Sequence, residues 1–147
     1  MIALQETNLV PLLEKAKELE KKYEWLQAEE VYQRASDIAV KHDDLENIAQ
    51  LYDKRGFCFF KAAFQAETNN QFKEKVKVAI QTYQQAINFL ENGTNKNTLV
   101  EINNLKAKIA YGKSWFEFEP PKKKIFIDEW WQLKSKILKQ LEKKEIN

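Results

Sequence analysis

The residues able to do chemistry are few. His42, Asp43 and Asp44 stand side by side, and an imidazole next to a carboxylate has the composition of a general base with its orienting acid. No nucleophile accompanies them, and the trio falls where one helix should end and another begin, a place at which Asp serves as an ordinary cap. Cys58, the single cysteine, lies in the run FCFF, where a buried thiol behaves as a small hydrophobe. It has no partner for an internal disulfide, and no Cys or His cluster has metal-ligand spacing. A Gly-rich phosphate loop, a zinc signature and a nucleophile elbow are all absent from the sequence. These residues imply a protein that is not an enzyme, holds no cofactor or metal and takes no small-molecule substrate.

What remains is charge. The formal net charge is +2, so the whole molecule has no strong field to steer it onto nucleic acid or an anionic membrane, and any such attraction must come from a local patch. The patch is C-terminal. From Pro120 onward eight Lys face four acidic residues, which leaves the preceding part at about −2. Lys122, Lys123 and Lys124 lead into a helix expected from Glu129 to about Lys144. Its polar face gathers Lys136, Lys139 and Lys143, with Trp130, Leu133, Ile137, Leu138 and Leu141 opposite. A basic amphipathic helix fits a membrane surface, nucleic acid or a partner helix. A terminal helix that covers the exposed apolar end of a stack has the same pattern, and is the favoured reading.

The elements that position these residues are helical. The chain has 147 residues, 44% hydrophobic and 31% charged, with three Gly and three Pro, too few for strands joined by tight turns. Its length suits one domain, residues 1–147, that buries a real core. The N-terminal stretch has Glu6 ahead of a short apolar run and does not read as a signal peptide, and no apolar run is long enough to span a bilayer. With the single cysteine this predicts a reducing, cytoplasmic setting.

The clearest organisation lies between Leu12 and Ala39. Ala16, Leu19, Trp25, Ala28, Tyr32 and Ala35 recur at helical spacing on two segments separated by Lys22–Glu24, which predicts an antiparallel helical hairpin over about 8–41. A third helix from Leu45 to about Glu67 and a fourth from Gln71 to about Glu91 make a second hairpin over 45–91, with Asn69 and Asn70 as the break. Ala79, Tyr83 and Ala86 repeat the spacing of Ala28, Tyr32 and Ala35, and Tyr52, Gly56 and Phe59 can be laid on Leu12, Ala16 and Leu19. Gly56 inside a helix costs about 1 kcal/mol against Ala, so another backbone is expected to pass close there. The second copy is eleven residues longer between Gly56 and Ala79 than the first between Ala16 and Ala28, so both of its helices must be extended. ENGTNKN, residues 91–97, reads as a turn. A fifth helix from Leu99 to about Phe118, stopped by Pro120 and Pro121, then pairs with the final helix over about 98–145.

This spacing resembles the tetratricopeptide repeat in a long-helix variant, with Ala16, Leu19, Trp25, Ala28, Tyr32 and Ala35 in its register. The resemblance implies an all-α, right-handed superhelix of about three antiparallel hairpins, six helices in all, whose concave face is formed by the first helix of each pair. Carried over position by position, that groove shows Lys17 and Lys21, then Gln50, Asp53, Lys54, Phe57 and Lys61, then Lys113. The implied function is a protein–protein interaction scaffold or adaptor that binds a peptide or helix in the groove, and the basic bias favours an acidic or carboxylate-bearing partner. The Lys and Asn pair by which some members clamp a C-terminal carboxylate is not reproduced, since Leu13 and Lys17 occupy its positions. Two other readings stand beside it: an accessory protein that binds nucleic acid or membrane through the basic tail, and a sensor or dimerisation module of a larger assembly. The aromatics of FCFFKAAF belong either to the core or to the groove, because Phe57, Phe60 and Phe64 point away from the face of Tyr52, Gly56 and Phe59.

Overall fold

The computed structural model describes residues 8–93 and 98–115, together with Glu129, Gln132, Leu133, Lys136 and Lys139 of the C-terminal segment. Five helices follow one another: α1 (Val10–Lys21), α2 (Trp25–Lys41), α3 (Leu45–Ala63), α4 (Asn69–Asn92) and α5 (Leu99–Ser114), with no strand among the described residues. Each packs on the next in the chain. The five isolated C-terminal residues are helical, but the expected sixth helix and the face through which it would dock lie otherwise outside the described residues.

The first two turns are built alike. After α1 and again after α2 the chain turns through one residue in the left-handed region, Tyr23 (φ 61°) and Asp43 (φ 50°). The amides of Glu24 and Asp44 then donate back to the carbonyls of Leu19 and Ala39, at 3.0 and 3.1 Å, which satisfies helix-end acceptors that would otherwise lack a partner. Asp44 also caps α3, its carboxylate accepting from the Asn47 amide at 3.3 Å.

The turn between α3 and α4 differs from the sequence expectation. α3 stops at Ala63, short of Glu67, and Asn69 and Asn70 open α4 rather than breaking a helix. The hydroxyl of Thr68 accepts from the Gln71 amide at 3.1 Å and so caps α4. The first-turn amides have no intrahelical acceptor to lose, so residues that form helix poorly are tolerated there. The lengthening of the second hairpin does appear. α3 and α4 have 19 and 24 residues against 12 and 17 for α1 and α2, seven more in each case and about two turns.

Two apolar clusters lie in series and share α3. Ala16, Ala28, Val31, Tyr32, Ala35, Ile48, Leu51 and Cys58 fill the first, and Ala79, Tyr83, Ala86, Ile87, Leu105 and Ile109 belong to the second. Tyr52 and Phe89 touch both, their ring centroids 5.1 Å apart. Ala16, Ala28, Ala35, Ala79 and Ala86 are completely buried, so the small residues stand where helices press together. Gly56 meets a side chain, the Tyr83 ring, rather than the expected backbone.

The wide aromatic arc of α3 is explained by its two neighbours. Phe57 meets Trp25 edge to face at 5.7 Å, at the start of α2. Phe60 and Phe64 face the other way and join Phe72, Tyr111 and Trp115, with centroids 5.2–6.0 Å apart, tying the end of α3 to α4 and α5.

Candidate groove on the first-helix face

The candidate site begins with how α3 is held. Arg55 donates from Nε to Oε1 of Glu29 on α2 at 3.0 Å, and its guanidinium carbon lies 4.8 Å from the Tyr52 ring centroid. Both ionic side chains are nearly buried. Burial raises the Glu29 carboxyl above its usual range, and the Arg55 hydrogen bond and charge pull it partly back. On the α1 side, the Tyr32 hydroxyl donates to Oε2 of Glu20 at 3.2 Å, while the Cys58 thiol lies 4.0 Å from Oε1 of the same carboxylate. Cys58 is fully buried, and burial, followed by the charges of Glu20 and Glu29, pushes its thiol up to about 12. The thiol is therefore neutral near pH 7 and closed off from solvent.

With α3 so placed, one face carries two concavities. Between α1 and α3 lies a cavity of about 220 Å³ lined by Leu9, Leu13, Leu51 and Tyr32 and by Lys17, Asn47, Gln50 and Lys54. Between α3 and α5 lies a smaller one of about 50 Å³, lined by Ala49, Leu90 and Leu105 and by Glu46, Gln50, Asp53, Glu101 and Asn104. Gln50 belongs to both. Asp53 is held by the ammonium of Lys108 at 2.7 Å across α3 and α5.

The residues named from the sequence divide accordingly. Lys17, Gln50 and Lys54 come together at the first cavity, and Gln50 and Asp53 at the second. Phe57 is taken up by its packing on Trp25, with the Lys61 ammonium 5.5 Å from the Phe57 ring and 5.9 Å from the Trp25 ring. Lys21 and Lys113 are exposed but line neither cavity. Lys113 stands about 140° round α5 from Lys108 at 100° per residue, so Lys108, missed in the sequence, is the cation that reaches α3. Leu9, Asn47, Glu46 and Glu101 were also missed, and Leu13 was named only as standing where a carboxylate clamp would be. On the α1 side a signal was available, since Leu9, Leu13 and Lys17 recur every four residues, but their partners Asn47, Gln50, Leu51 and Lys54 come from α3, a helix that begins only at Leu45. Of the basic tail, Lys136 and Lys139 are exposed, whereas Lys122, Lys123, Lys124 and Lys143 lie outside the described residues.

Among the described residues no group of three or more His, Cys, Asp and Glu can hold a metal, and no helix is long and apolar enough to cross a membrane. Comparison of the chain with protein-family models, with curated proteins and with solved structures found no match.

Proposed function

We propose that this chain is a non-enzymatic interaction module of the tetratricopeptide-like kind, a right-handed superhelix of about three hairpins that binds a segment of a partner protein across the first-helix face. The observation that carries the reading is the cavity between α1 and α3. It has an apolar floor of Leu9, Leu13 and Leu51 and a rim of two lysines and two amides, a composition suited to a side chain and backbone of peptide rather than to catalysis. Gln50, exposed and shared by both cavities, marks its centre.

A photo-crosslinking residue at Gln50 tests this directly. In the native host, crosslinks should concentrate on one short segment of one partner, and free peptide of that segment should compete them away. The same probe at Gln84, exposed on α4, should give no such product. Equal, uncompeted labelling from both positions would remove the groove reading.

A further inference from the structure

Resting on that reading, we infer that the groove is electrically polarised and selects a peptide that carries carboxylates at one end, an apolar side chain between, and ammonium or guanidinium groups at the other. The two halves differ in sign. Among the described residues, Lys17 and Lys54 are the charged ones lining the cavity between α1 and α3, and no carboxylate among them lines the wall. Glu46, Asp53 and Glu101 line the cavity between α3 and α5, and no cation among the described residues does. Lys108 neutralises Asp53 at 2.7 Å, which leaves Glu46 and Glu101, both exposed, to set the sign of that half.

The scale suits one short peptide. Glu46 and Lys54 are eight residues apart on α3, about 12 Å along its axis at 1.5 Å per residue. An extended chain covers that distance in about four residues at 3.3 Å each. An all-acidic segment would set its far end against Glu46 and Glu101, and an all-basic one would meet Lys17 and Lys54. Both signs are therefore rejected by like charge while the mixed segment is accepted twice, which is selection by repulsion as well as attraction. Where a basic bias alone favours an acidic partner, the polarised groove calls for a dipolar one.

Three labelled ten-residue peptides of equal length, each with a central leucine, test the inference by fluorescence anisotropy on the full chain. One carries two aspartates at one end and two lysines at the other, one carries four aspartates and one four lysines. The dipolar peptide should bind at least about tenfold more tightly than either other, with the advantage shrinking as salt screens the exposed charges. Lys17→Glu with Lys54→Glu should transfer the preference to the all-lysine peptide, and Glu46→Lys with Glu101→Lys to the all-aspartate one. The fourfold variant should bind the dipolar peptide again. All four positions are exposed, and circular dichroism checks that each variant is folded. If the all-aspartate peptide binds the unaltered protein as well as the dipolar one, or if the Glu46 and Glu101 reversals leave the ranking unchanged, polarity is wrong while the groove stands. If no peptide binds the unaltered protein or any folded variant, the groove reading fails with it.

Discussion

Gly56 and Tyr83 occupy one another's space: a Cβ on Gly56 would stand 2.6 Å from Cε1 and 2.7 Å from Cδ1 of the Tyr83 ring. The glycine is therefore what allows α4 to bring a buried tyrosine against α3. Gly56→Ala gains about 1 kcal/mol of helix propensity but forces a rigid ring to move, and overpacking of this kind costs about 1–3 kcal/mol. A net fall in melting temperature is expected. The same substitution in a Tyr83→Leu background should be neutral or stabilising, and calorimetry on the four proteins reads the reversal. At Gly112 a Cβ would meet Cγ1 and Cδ1 of Ile80 at 3.1 and 3.3 Å, looser than the 2.6 Å at Gly56, so Gly112→Ala should cost less than Gly56→Ala.

Ala28 and Ala79 are completely buried. Ala28→Leu should overpack the first cluster and cost about 1–3 kcal/mol. A chemical denaturation midpoint equal to that of the unaltered protein would show that the small residue is not needed there.

The Arg55–Glu29 pair connects α2 to α3 with side-chain exposures of 14% and 7%. Arg55→Met should cost about 3–5 kcal/mol at neutral pH, because it leaves an ionised carboxylate buried alone. The Glu29 carboxyl is already raised by burial, so the fold holds its proton more tightly than the unfolded chain does. Acidification towards its titration should therefore recover part of the loss, and the Glu29→Met, Arg55→Met pair should recover most of it at any pH. Urea titrations of both variants across pH 4–8 measure this.

Alkali should unfold the protein through groups that the fold keeps neutral. The Cys58 thiol rises from 9.0 to about 12, chiefly by burial, and burial raises the Tyr32 and Tyr83 hydroxyls above their ordinary 10.0. A proton held more tightly in the fold than in the unfolded chain stabilises fully below the unfolded value. For Cys58 that contribution is intact below pH 9 and disappears as pH rises towards 12. Melting temperature should fall over this window, and Cys58→Ala should flatten part of the fall. A thiol reagent at pH 8 should label the native protein only after denaturant is added.

Tyr23 sits at φ 61°, a region that costs a residue with a Cβ about 1 kcal/mol, and its side chain is largely exposed. Tyr23→Gly should raise stability by up to that amount, less whatever its ring contact with Trp25 contributes. The equivalent turn already has Asp43, and Asp43→Gly should gain less, because Asp tolerates the left-handed region better.

Helical class, the positions of the first two turns and the small-residue crossings were legible in the sequence because each is set within a few residues. The end of α2, expected at about residue 41, falls at Lys41, since an apolar stripe at i, i+3 and i+4 and the break at His42–Asp44 that caps α3 are local facts. The end of α3 was misread for the complementary reason. Phe64 leaves the helix at its C-cap, where its ring lies among Phe60, Phe72 and Trp115, and residues so far apart in sequence leave no periodic trace. The groove divides in the same way. The resemblance to the repeat family implied a common side for Lys17, Gln50 and Lys54, carried over position by position on each helix taken separately. That Lys108 reaches Asp53, that Lys113 does not face the groove, and that Glu46 and Glu101 oppose the lysines follow from how α5 is rotated against α3. That rotation is decided by side chains on three helices interlocking at once, and no single helix's pattern contains it.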